Sequence, residues 1–135
     1  MSEIDNKRIV TGVMEAMARG DSGPFYDAFA DDLVWRPMTN GVWGKVHRGK
    51  AAARDELFLP LRRQYADRYT NTATGIFADG DHVVVEAQGA VTLKSGKRYD
   101  NRYCFVIRMK DGKMTEVREY LDSALAEAVL EPLPA

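Results

Sequence analysis

Three side chains in the second half of the chain have types suited to proton chemistry: Glu119, Tyr103 and Gln88. A carboxylate set among apolar neighbours keeps its proton to higher pH and can then serve as a general acid or base near neutrality. A phenol and an amide beside it would orient a substrate or a water. Whether the three meet depends on strand register, and two turns act as rulers. Lys110-Asp111-Gly112 suits a three-residue link with Gly112 in the left-handed bulge position. That link sets Tyr103 opposite Glu119, Phe105 opposite Val117 and Asn101 opposite Leu121. A two-residue link at Ser95-Gly96 sets Gln88 opposite Tyr103, Glu86 opposite Phe105 and Ala90 opposite Asn101. Gln88, Tyr103 and Glu119 then form one lateral row, with neighbours about 5 Å apart. A one-residue slip in either link exchanges the faces and dissolves the row.

Each member of the row carries a second reading. Glu119 either moves a proton, or pairs with an arginine or faces water. Gln88 and Tyr103 either orient a ligand or satisfy one another. Glu86, one step along the face, either couples to Glu119 or sits at a solvated rim. Asn101, Phe105 and Leu121 share the face, and the mixture suits the wall of a wet pocket better than a closed core. Trp35 and Trp43 flank a Gly-rich stretch and suit a pocket mouth, with a core role open to Trp35. Phe58 and Leu61 would add apolar wall. His47 reads as a surface or capping residue, and Cys104 as a small buried residue pointing away from the row.

The elements that must position these side chains follow from periodicity. Ile9, Val10, Val13, Met14 and Met17 recur at helical spacing over Glu3 to Arg19, and Gly20 can close that helix in the left-handed region. Asp21 or Ser22 caps a short second helix with Pro24 in its first turn. Leu33 to Arg36 reads as a short strand and Asn40 to Arg48 as loop. A third helix runs from Lys50 to Ala66, bent by Pro60. Thr70 to Ala78, Val83 to Leu93, Tyr99 to Met109 and Met114 to Asp122 read as strands joined by short links, hence antiparallel. A last helical turn or two runs from Ser123 through Leu130. Helices first and a meander later predict an α+β domain, three helices packed on one face of a curved, mainly antiparallel sheet. The alternate residues Val83, Val85, Ala87, Val91 and Leu93 form the other face in this register. Their apolarity calls for either the helices or another protein chain. If the helices cover the row of Gln88, Tyr103 and Glu119, this side is left for a partner, and a symmetric homodimer through the sheet is the simplest solution.

Composition narrows the class. At 135 residues one domain, 1–135, is expected, and 45% apolar residues suffice for a core. A net charge of −1 and no basic cluster interleaved with aromatics argue against nucleic acid. One cysteine excludes an internal disulfide, and with two histidines no metal site is expected. No apolar stretch approaches a membrane span and the first residues carry no apolar signal core, so a cytoplasmic location is expected.

The order of elements, the opening Met-Ala-Arg-Gly-Asp and Phe-Tyr-Asp-Ala-Phe-Ala-Asp-Asp-Leu-Val-Trp, the later His-Arg-Gly-Lys-Ala-Ala-Ala, and the closing Asp-Gly-Lys-Met-Thr-Glu-Val-Arg-Glu-Tyr-Leu-Asp together resemble the SnoaL-like, ketosteroid-isomerase-like branch of the nuclear transport factor 2-like superfamily. The resemblance implies a cone-shaped domain with a pocket between sheet and helices, commonly a homodimer. It covers isomerases, polyketide cyclases, epoxide hydrolases, dehydratases and non-catalytic binding domains. The ketosteroid isomerase residues are not retained: its helix tyrosine falls at about Val13, its base among Arg36 to Asn40, and its strand acid near Tyr103. The epoxide hydrolase set falls on Glu86, Gln88 and Glu119, of which only Glu119 keeps the required type. Polyketide cyclases, which the chain looks similar to in needing one carboxylate on the last strand, again point to Glu119.

The expectation is therefore a small-molecule-binding domain for an apolar or polycyclic organic compound, working without metal or organic cofactor. Glu119 would move a proton in an isomerase, cyclase, hydratase or lyase reaction. The alternative is a non-catalytic ligand-binding or protein-interaction domain of the same fold.

Overall fold

The structure is a computed structural model and describes residues 2–134. Helix α1 spans Glu3–Ala18, opened by a reciprocal pair of bonds between Ser2 and Asp5. It buries Val10, Val13, Met14 and Met17 on one stripe, as the spacing requires, and Gly20 at φ 81° turns the chain back. Helix α2 is Gly23–Asp27 and carries Pro24 in its first turn. Ser22 makes no side-chain cap; the Asp21 carboxylate accepts from the Gly23 N–H instead. Strand β1 follows at Phe29–Pro37, longer than the sequence predicts, and β2 is a two-residue strand, His47–Arg48, within the segment expected to be loop.

The expected third helix is three pieces: α3 at Lys50–Ala53, a π-helical turn at Arg54–Phe58, and α4 at Leu59–Arg62. Pro60 is the cause. It has no N–H to offer to the preceding turn, and the Leu59 N–H reaches back five residues to the Arg54 carbonyl. Strands β3 (Thr70–Asp79), β4 (His82–Ala90), β5 (Arg102–Lys110) and β6 (Lys113–Leu121) form the meander, and α5 (Ser123–Val129) ends it under an Asp122 cap. The six strands lie in the order β2-β1-β6-β5-β4-β3, antiparallel except for β1 beside β6. This is the α+β architecture expected, helices packed on one face of a curved open sheet. Among the described residues no helix is long and apolar enough to cross a membrane.

Both predicted registers are wrong, with different consequences. At the last hairpin Lys110 pairs with Lys113, so the link is the two residues Asp111 and Gly112, both at positive φ, as a primed turn demands. A bulge between Arg108 and Met109 pairings then shifts the register by one more residue. The two shifts add to two, so the faces survive while the partners change: Phe105 lies opposite Glu119 and Tyr103 opposite Leu121. At the other hairpin Leu93 N–H bonds the Lys97 carbonyl, leaving a three-residue link, Lys94-Ser95-Gly96, with Gly96 at φ 89°. That is one residue more than predicted, and it exchanges the faces of β4. Val85 now lies opposite Phe105 and Ala87 opposite Tyr103.

The exchange overturns the stated reason for a partner. Val83, Val85, Ala87, Val91 and Leu93 are buried in the core with α1, not presented on the outside. The outer face carries Phe77, Val84, Val106 and Tyr120 among charged residues, with Phe77 and Tyr120 exposed.

Candidate functional site

The helices do not close fully on the sheet. Between them lies a cavity of about 670 Å³, within the range of small-molecule sites. Strands β1, β5 and β6 form its back, α2 and the π-helical turn with α4 form its front, and the segment from Tyr65 to Asn71 forms one side. Its aromatic wall is continuous. Phe25 and Phe29 are edge to face at 4.9 Å, Trp35 and Phe58 at 5.0 Å, and Phe29 stacks on Phe58 at 5.9 Å. The π turn contributes Phe58 to this contact, and Leu61 follows on α4.

Glu119 points into this apolar space because strand alternation leaves it no choice. Its neighbour Arg118 faces outward, where Arg36 and Arg118 both meet Glu116, at 2.8 and 3.3 Å. Arg54, Arg62 and Arg68 also line the cavity, but among the described residues none comes within ion-pair distance of Glu119. Its carboxylate accepts one hydrogen bond, from the Trp35 indole N–H at 3.2 Å. Burial pushes the Glu119 carboxyl up to about 7, against a smaller pull downward from that indole bond. Some of the side chain remains open to the cavity. A carboxyl in this condition is divided between its two protonation states at neutral pH, which is the state a proton-transfer group needs.

Hydroxyls gather on one side of it. Tyr103 stacks on Phe105 at 5.2 Å, and Tyr65 stacks on Tyr69 at 5.5 Å. The phenols of Tyr69 and Tyr99 lie beside that of Tyr103, each accepting from an asparagine amide, Asn71 and Asn101 respectively. Burial raises all four phenols, so they remain donors at neutral pH. Gly89 makes room for them: a Cβ there would stand 3.0 Å from Tyr103 Cε2 and 3.1 Å from the Tyr69 hydroxyl.

Of the residues singled out from sequence, Glu119, Tyr103, Trp35, Phe58, Leu61 and Phe105 line the cavity together. The others do not. Gln88 and Glu86 lie on the outer face of β4, a consequence of the one-residue slip. The Gln88 amide donates there to the carbonyls of Gly89, Asp100 and Asn101, and Glu86 is exposed. Asn101 is fully buried and structural, gripping Asp122 N–H and C=O at 3.0 Å each. Leu121 packs against the core and Trp43 is buried within it rather than at a mouth. His47 is buried too, with Nδ1 2.9 Å from Glu56, and so is no surface residue. Cys104 is half-buried on the outer face. Sequence reasoning missed Phe25, Phe29, Tyr65, Tyr69 and Asn71, all cavity-lining. A signal was present for two of them: Tyr69-Thr70-Asn71 and Tyr99-Asp100-Asn101 repeat one pattern.

Comparison with known proteins places this geometry in a family. The model of the SnoaL-like domain matches residues 10–117, and the chain belongs to that family. No curated protein matches it. Among solved structures it is similar to a nuclear transport factor 2-like protein of unknown function from Burkholderia pseudomallei, at 20% identity and TM-score 0.79, covering 97% of this chain and 100% of that one. It is also similar to a protein from Jannaschia sp. CCS1 provisionally assigned as a SnoaL-like polyketide cyclase, at 16% identity and TM-score 0.73, covering 96% and 94%. A third similar structure is an LEH-like epoxide hydrolase from M. tuberculosis, at 26% identity and TM-score 0.67, covering 90% and 85%. The first two likenesses establish the nuclear transport factor 2-like fold and nothing finer.

Proposed function

We propose that this chain binds an apolar, ring-bearing organic molecule in the cavity and that Glu119 transfers a proton to or from it, in an isomerase, cyclase, hydratase or lyase reaction that uses no metal or organic cofactor. The observation that carries this reading is a single carboxyl, held near neutrality by burial, on the wall of an aromatic cavity. The phenols of Tyr69 and Tyr103 would donate to an oxygen of the ligand as charge develops on it. The epoxide-opening set of adjacent strand acids gains no support, since Glu86 and Gln88 face away.

Proton transfer can be tested without knowing the natural substrate. In deuterated water the protein should accelerate hydrogen–deuterium exchange beside the carbonyl of apolar ketones such as 2-tetralone, read by NMR. Glu119→Gln should lower that rate by about 10²–10⁴-fold. Exchange that is equally fast in Glu119→Gln would overturn the role given to Glu119.

A binding role without catalysis is the second reading. It is favoured by the absence, among the described cavity-lining residues, of a histidine or a second buried carboxylate. Ketones that bind without any exchange would select it. Self-association through the sheet also stays a proposal, now through the outer face bearing Phe77 and Tyr120; sedimentation of a strict monomer at micromolar concentration would remove it.

A further inference from the structure

Two asparagines sit in the same local device, and only one of them is complete. Asn71 and Asn101 each donate a side-chain N–H to the hydroxyl of the tyrosine two residues earlier, at 3.1 Å to Tyr69 and 3.0 Å to Tyr99. Residues i and i+2 of an extended segment lie on one face, so the pairing is built into the Tyr-x-Asn spacing. At Asn101 the remaining capacity is used within the protein: Oδ1 accepts from the Asp122 N–H and the amide donates to the Asp122 carbonyl. At Asn71 it is not. Asn71 is 2% exposed, and its Oδ1 is buried without any hydrogen-bond partner. Asn101 is not among the cavity-lining residues; Asn71 is.

A buried acceptor left open costs free energy that most proteins avoid by supplying a donor. Here no protein donor fills it. The Tyr69 hydroxyl accepts from the Asn71 amide N–H and makes no bond to Oδ1. Asn71 lies opposite Gly89 on β4, which brings no side chain that could reach Oδ1. Asn71 therefore stands at the edge of the cavity beside Tyr69 and Tyr103, with a buried acceptor that the protein leaves open.

We propose that Asn71 is a specificity-determining residue, whose Oδ1 takes a hydrogen bond from a hydroxyl or N–H borne by the ligand. The inference rests on the cavity being the ligand site and names a feature of that ligand: a planar apolar body with a hydrogen-bond donor at the end that reaches β3. A site built to pair with a donor discriminates strongly against an analogue lacking it, because the buried acceptor then stays unpaired. An oxygen without a proton, an ether or ester, gains nothing at this position. Asn101, with the same local geometry and no open valence, serves only to fasten β5 to the start of α5.

The test compares two probes that share one ring body and differ by methylation of the hydroxyl, 2-naphthol and 2-methoxynaphthalene, titrated calorimetrically into the full chain at pH 6. The wild type should bind 2-naphthol roughly 10-fold more tightly. Asn71→Leu keeps the size of the side chain and removes the acceptor, and should bring the two affinities within about twofold. Asn71→Ala is measured alongside, so that the comparison stands should the leucine variant not fold. Equal affinities in the wild type, or a preference for 2-naphthol that survives both substitutions, would overturn the inference while leaving the cavity reading in place. Failure of both probes to bind the wild type would overturn the cavity reading and the inference with it.

Discussion

Replacing Glu119 by glutamine should make the protein more stable at high pH and not at low pH. In the folded chain burial holds the Glu119 proton to about pH 7, against an ordinary value of 4.5. Between those values the folded state binds more protons than the unfolded one, so stability falls as pH rises. The stabilising contribution of the protonated form is complete below 4.5 and is lost as pH passes 7. At about 1.4 kcal/mol per pH unit the gap is worth at most about 3 kcal/mol, and water in the cavity leaves about 2 kcal/mol of it. Glutamine mimics the neutral acid at every pH. Urea unfolding of both proteins, followed from pH 4 to 8, should therefore show near-equal stability at pH 4 and an advantage to Glu119→Gln that grows to about 2 kcal/mol by pH 8. Asp55, Glu56, Asp67, Asp81 and Glu116 are all held below the usual carboxylate range and bend each curve the other way at lower pH. They are common to both proteins and cancel in the difference. A difference that is flat with pH, or that falls between pH 5 and 8, would refute the claim that Glu119 is a buried acid.

Other consequences follow from the hydrogen bonds around the site. Asn101→Ala removes the bonds to Tyr99 and to both backbone groups of Asp122. The buried partners left unpaired should cost about 3 kcal/mol in chemical denaturation; a loss below 1 kcal/mol would contradict the structural role given to it. Gln88→Ala should leave binding of 2-naphthol unchanged within twofold, because Gln88 faces away from the cavity; a large loss would return it to the wall. Gly89→Ala brings a Cβ to 3.0 Å from Tyr103 Cε2 and should destabilise by about 1–3 kcal/mol in thermal unfolding.

Much of the fold was legible because periodicity is robust to small errors in length. The stripe from Ile9 to Met17, the four-strand meander and the interruption at Pro60 all follow from local chemistry. Glu119 was legible for the same reason: two single-residue shifts at the last hairpin cancelled in parity, so Glu119, Tyr103 and Phe105 kept one face. Gln88 and Glu86 were lost because the Ser95-Gly96 link gained one residue, and one residue is enough to turn a strand over. Asp111-Gly112 could have been read as a two-residue primed turn from its residue types alone, whereas the bulge beside it leaves no mark in the sequence. Trp43 and His47 escape a reading by periodicity because their burial comes from tertiary packing of the loop after β1 and of the two-residue strand β2, neither of which shows a period. The Tyr-x-Asn repeat was present throughout but silent, since its meaning depends on which asparagine finds Asp122.

The most direct measurement is an NMR titration of the Glu119 side-chain carboxyl in the wild type and in Trp35→Phe. A midpoint near 7 in the wild type, moving higher when the indole donor is removed, is what the burial and the Trp35 bond predict. A wild-type midpoint near 4.5, unmoved in Trp35→Phe, would contradict both the buried acid and the proton chemistry proposed for it.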